Sequence, residues 1–322
     1  MIGPHQAEKR SRGWIVVALR WVAALAVLGI LFHFLPLDLL RQAIRRVPLT
    51  RFVAILIGYL LAHTVGIAKW RMVVNAAGAK LDFATSAQCY TSGLFATLFL
   101  PSIIGGDVVR LAVGLRRSPN PAAVLAGNVL DRFLDMCAQA GLLLLGVMLL
   151  PGSLPVSFTA ETWRDLVILV AIMAGIVFVG GMLMRPLLRG RSVSFRRKLA
   201  RLRHALREGW KKPHILLFGW ALGTGIQFAF LFLTALLAIS CGLLLPLRVW
   251  LFAWPLAKLA ALLPLTQGGI GVREAALVGL LSPFGALGHL VLAAGLVWEG
   301  VVIAGGLVAG STAFLLSRKG GE

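Results

Sequence analysis

Residues 101–110 read Pro-Ser-Ile-Ile-Gly-Gly-Asp-Val-Val-Arg, and residues 264–273 read Pro-Leu-Thr-Gln-Gly-Gly-Ile-Gly-Val-Arg. Both fit P-x-x-x-G-G-x-x-x-R, so the pattern occurs once in each half of the chain. In each half the proline closes a short apolar stretch, 84–100 or 250–263, and one long apolar run follows. Paired Gly/Pro-interrupted apolar segments in two halves point to the binding region of a repeat-built membrane transporter. The plainer reading makes each motif a helix-breaking turn, since Pro and Gly are ordinary punctuation.

Around these motifs lie apolar runs at 14–35, 52–68, 122–150, 166–184, 215–240 and 287–316. Crossing a hydrocarbon core takes about 20 residues of helix, so each run is a candidate span. The composition agrees, with 59% hydrophobic and 14% charged residues, which does not suit a soluble globular chain. The runs are rich in Leu, Ala and Gly and do not alternate, which excludes barrel strands. Lys9, Arg10 and Arg12 precede 14–35, but that run is longer than the apolar core of a cleavable signal peptide and reads as a first membrane helix.

The formal charge of +20 sits between the apolar runs, most densely at 185–212, which marks a cytoplasmic loop and not a nucleic-acid surface. There Phe195, Leu199, Leu202 and Leu206 recur at helical spacing among arginines, so an amphipathic helix on the membrane surface is expected. With that loop inside, the charges place 101–110 in a hairpin that dips in and returns to the cytoplasm. The 264–273 segment then dips from outside. Both termini become cytoplasmic in the inner membrane, while Arg41, Arg45, Arg46 and Arg51 fall on the wrong side.

The expected fold is therefore all-α and polytopic: about six full spans plus two re-entrant hairpins, eight apolar segments in an inverted repeat. Residues 1–150 form the first repeat, and 151–322 the second, including the basic amphipathic segment 185–213.

Ionisable residues inside spans are costly and mark function. Asn128, Asp131, Arg132, Asp135 and Gln139 follow steps of three and four and share one helical face. Glu299 lies midway along the last run, near the position of Asp135 when the motifs are aligned. Asn128, Asp131, Arg132, Asp135 and Glu299, with Asp107, Arg110, Lys258, Gln267, Arg273 and Glu274, form the candidate substrate site, and Gly105, Gly106, Gly268, Gly269 and Gly271 are its motif glycines. Guanidinium groups and freed backbone N–H groups suit a phosphate-bearing head group. The alternative is a self-compensating cluster that only locks helices together. Lys69, Trp70 and Arg71 read as an interfacial anchor or head-group contact, and His63 and Gln227 as packing hydrogen bonders. Cys89, Cys137 and Cys241 show no ligand or disulfide spacing, and no metal or cofactor is indicated.

Lys69-Trp70-Arg71, Pro101 with Gly105-Gly106-Asp107 and Arg110, Asp131-Arg132, and Pro264 with Gly268-Gly269, Gly271, Arg273 and Glu274 together resemble the flippase-like family named after the transmembrane region of lysylphosphatidylglycerol synthase. The resemblance covers most of the chain and includes the flippase half of multiple peptide resistance factors. It implies a non-enzymatic membrane protein that moves, or helps process, a polar-headed lipid. The expected partners are anionic phospholipids or polyprenyl-phosphate-linked lipids, with a separate synthase or transferase. A soluble aminoacyl-transferase domain is not expected in these residues, so lysylphosphatidylglycerol synthesis by them alone is not expected either. Two other roles remain open: a membrane-embedded transferase with Asp131 or Asp135 as general base, and an accessory subunit.

Overall fold

The computed structural model describes residues 37–100, 102–150, 193–261, 266 and 269–319. The expected spans 14–35 and 166–184, the external segment 151–165, both chain ends, Pro101, Pro264, Gln267 and Gly268 lie outside them. Among the described residues the regular structure is all helical, with no strand. In chain order the helices are α1 (Leu37–Arg45), α2 (Leu49–Ala76), α3 (Phe83–Ala96), α4 (Ser102–Arg117), α5 (Pro121–Leu149), α6 (Val193–Trp210), α7 (Pro213–Ser240), α8 (Leu247–Ala260), α9 (Val272–Leu281) and α10 (Gly288–Lys319).

Four of these, α2, α5, α7 and α10, are long and apolar enough to cross a membrane. The chain is thus a multi-pass helical membrane protein. α3 and α8 have 14 residues each, about 21 Å of helix, and fall short of a bilayer core.

The long helices run in two senses. Arg51 meets Ser240, Gly58 meets Leu233, Lys69 meets Gly223 and Ala76 meets Lys212, so α2 and α7 are antiparallel. Leu134 beside Gly219 and Gln139 beside Gln227 make α5 parallel to α7. Phe52 beside Gly300 and Tyr59 beside Gly305 make α10 parallel to α2. Glycines permit these approaches. A Cβ on Gly127 would strike the Val74 backbone, and one on Gly146 would lie 2.5 Å from Phe252 N.

Because α2 and α5 are antiparallel, the α3–α4 pair leaves and rejoins the bundle at one end. Ser118 Oγ donates to the Ala79 carbonyl at 2.8 Å, and Asn120 Nδ2 to Gly78, tying exit to return. Asp82 opens α3 by accepting from the backbone N–H of Ala84 and Thr85, and hydrogen bonding from Thr85 holds its carboxyl below the usual carboxylate range.

The helix partners exchange when the halves are swapped. α3 packs on α10 as α8 packs on α5, and α1 packs on α10 as α6 packs on α5. This places the misfit arginines. Residues 37–45 form a short amphipathic helix with Leu40 and Ala43 buried and Arg41 and Arg45 outward, at the bundle end opposite α6.

α6 is amphipathic as expected, but its apolar face rests on protein. Ala205 is buried, Leu202 and Leu206 pack beside it, and Gly209 lies against Leu130 of α5. The second span is longer than its apolar run of 52–68, since α2 continues through Lys69, Trp70 and Arg71 to Ala76. It can do so because charged partners await those side chains inside the bundle.

Candidate functional site

Lys69 organises the first cluster. Its Nζ lies 2.8 Å from Asp131 and 2.5 Å from Asp135, one helical turn apart on α5. Lys69 is 3% exposed and Trp70 fully buried, so neither is an interfacial anchor. The correction has a simple cause: an ammonium at that depth is retained only where carboxylates meet it. Trp70 Nε1 donates to Asn128 Oδ1 at 3.2 Å. Arg71 is half-buried and donates from Nε to the Leu81 carbonyl, which fixes the α2–α3 turn.

Arg110 enters this cluster from α4, at 4% exposure. Its Nη2 approaches Asn128 Oδ1 at 3.0 Å, Asp107 at 3.3 Å and Asp131 at 3.5 Å. Its guanidinium also lies over the rings of Trp70 and Tyr90. Arg132 bridges Asp107 at 2.6 Å and Asp135 at 3.6 Å, completing a ring of three cations and three carboxylates. Gly93 and Gly106 let α3 and α4 meet closely enough to hold Arg110 there, since a Cβ on Gly106 would sit 2.6 Å from the Gly93 carbonyl oxygen. Gly105 packs instead against Leu100.

The second cluster is smaller. Arg273 Nη2 lies 2.7 Å from both Glu274 and Glu299. The other oxygen of Glu274 accepts from Gly271 N–H at 2.7 Å, and Gly271 takes φ +83°, the left-handed region that glycine enters freely. Gly269 also has positive φ, at +81°. Glu274 is fully buried in the space left by Gly295 of α10. Arg273 lies over Trp254 of α8, as Arg110 lies over Tyr90 of α3.

Between the clusters runs a polar bridge. Gln139, one turn beyond Asp135, donates to Gln227 Oε1 at 3.1 Å, and Lys258 Nζ donates to the same oxygen at 2.5 Å. Lys258 makes no ion pair with a carboxylate among the described residues. A second connection passes through aromatic rings: Tyr90 hydrogen-bonds His63 at 3.2 Å, His63 packs edge-on against Tyr59, and Tyr59 does the same against Trp298.

The structure thus brings Asp107, Arg110, Asn128, Asp131, Arg132 and Asp135 into one network, and Arg273, Glu274 and Glu299 into another. Sequence reasoning did not place Lys69 in the first network or Tyr90, Trp254, Tyr59 and Gln139 beside the site. Only Gln139 carried a signal, its place on the α5 polar face. Gln227 and His63 do bond between helices, yet both stand within the polar layer. Among the described residues no group of His, Cys, Asp and Glu could hold a metal ion.

Five buried donors have no hydrogen-bond partner among the described residues: Arg110 Nε, Arg132 Nε, Arg273 Nε, Trp254 Nε1 and Thr266 Oγ1. Both motif arginines thus turn Nη2 toward carboxylates, Arg110 also toward Asn128, and leave Nε unmatched. Buried donors are normally satisfied, and an unmatched Nε recurs at the corresponding arginines of the two motifs.

No curated protein matches the chain. Residues 15–310 match the family described as the lysylphosphatidylglycerol synthase TM region. That match takes in both motifs, both charge clusters and the bridge between them, and the chain belongs to the lysylphosphatidylglycerol synthase TM region family.

Proposed function

We propose that this protein translocates a lipid with a phosphate-bearing head group across the cytoplasmic membrane by alternating access, without catalysing a covalent step. The family name supports a lipid-related role. The observation that carries the reading is the pair of unmatched Nε donors on Arg110 and Arg273, buried between apolar helices. A guanidinium whose Nη2 is held by carboxylates still offers its other edge to a phosphate oxygen.

The antiparallel long helices and the exchange of helix partners between halves support an inverted repeat of 1–150 and 151–322, with α3–α4 and α8–α9 as re-entrant hairpins. In that arrangement α6 and both termini face the cytoplasm. Asp131 and Asp135, the candidate general bases of a transferase, are both held on Lys69, which weighs against proton abstraction by either.

The test is reconstitution into liposomes with labelled anionic phospholipids, phosphatidylcholine and polyprenyl phosphates. Faster transbilayer movement of at least one phosphate lipid is expected. Unchanged movement across the whole panel overturns the proposal.

A further inference from the structure

The bundle end opposite α6 carries an unusual surface. Arg41 and Arg45 project from α1, Arg46 follows it, Arg51 stands in the first turn of α2, and Arg248 stands in the first turn of α8. All are exposed. They share one end because Arg51 Nη1 donates to Ser240 Oγ at 2.9 Å and Arg46 packs on Gly242, just past α7. Asp38 is the one exposed carboxylate there among the described residues, and no lysine of those residues lies at that end.

Three features identify what these groups meet. Exposed leucines flank them, Leu49 at 76%, Leu244 at 78% and Leu287 at 57%, so the arginines stand where the hydrocarbon edge gives way to head groups. Leu40 and Ala43 hold α1 flat against the bundle, which leaves its charged side outward. Every cation is Arg, whereas α6 and its flank mix Arg with Lys198, Lys211 and Lys212. Arg presents a planar two-pronged donor that fits a phosphodiester, while Lys is a point charge.

We infer that Arg41, Arg45, Arg46 and Arg248 form a binding surface for the phosphodiester groups of anionic lipids in the leaflet opposite α6. The inference rests on the membrane assignment alone and does not require translocation. Arg51 is excluded because Ser240 engages it.

The full chain is reconstituted in vesicles containing head-group-nitroxide phosphatidylglycerol or the same label on phosphatidylcholine. A fluorophore on a cysteine replacing Gln42 reports the α1 end, and one replacing His204 reports α6, both in a background lacking Cys137. Phosphatidylglycerol should quench the Gln42 site well beyond phosphatidylcholine. R41Q/R45Q/R46Q/R248Q should lower that enrichment about tenfold and leave the His204 site unchanged. The matching Arg→Lys variant should recover only part of it. Wild-type enrichment in the folded Gln variant overturns the surface, and full recovery by Lys overturns phosphodiester recognition in favour of diffuse attraction. If the quadruple variant does not fold, R41Q/R45Q replaces it. A lower melting temperature with unchanged quenching in that pair would assign these arginines to folding and overturn the proposal.

Discussion

Lys69 and Asp131 form a buried ion pair at 2.8 Å, joining α2 to α5 with both side chains almost wholly excluded from solvent. Removing one partner of such a pair leaves an uncompensated charge, at a cost of about 3–5 kcal/mol. K69M is therefore expected to lower the melting temperature sharply. The double variant K69M/D131N should recover much of the loss, because Arg110 and Arg132 then face two carboxylates, Asp107 and Asp135. Thermal unfolding of the purified proteins measures both.

The motif arginines should respond to geometry more than to charge. R110K and R273K keep the positive charge but lose the Nε donor and the planar fork. Each is expected to retain most of its thermal stability while lipid movement in proteoliposomes falls about tenfold or more. R207K on the exposed face of α6 is the control and should leave movement unchanged. Wild-type movement in folded R110K/R273K would remove both residues from the site.

Gly146 and Gly225 should differ in sign. A methyl group at 146 would meet Phe252 N and the Leu251 carbonyl carbon, both backbone, at 2.5 and 2.6 Å. G146A must push α8 away from α5 and is expected to cost about 1–3 kcal/mol. Nothing lies within 4 Å of a Cβ at 225, so G225A should be neutral or gain up to about 1 kcal/mol of helix propensity. Denaturation midpoints compared in one detergent decide the matter.

Single cysteines test the course of α3–α4. Lys80 and Pro119 are exposed, whereas Ser118 is buried and bonded to Ala79, making it a poor reporter. With Cys137 replaced, K80C and P119C should react with an impermeant thiol reagent from the same side as E208C, and L244C from the other. Labelling of K80C and P119C from opposite sides would remove the re-entrant hairpin.

The sequence by itself determined the membrane class, the paired motifs and the identity of nearly every charged residue in the site. Apolar runs and steps of three and four are local properties, and they suffice to place Asp131, Arg132 and Asp135 on one face of α5. It left Lys69 looking like an anchor and Arg41 to Arg46 looking misplaced. Only the tertiary structure decided that α2 runs on past Trp70, that Lys69 neutralises two carboxylates, and that residues 37–45 are a surface helix opposite α6. The physical reason is that periodicity fixes which face of a helix a charge occupies, whereas the desolvation cost of that charge is met by a partner on another helix. That partner is chosen by how the helices pack, through close approaches such as Gly127 on Val74, and no local pattern records it.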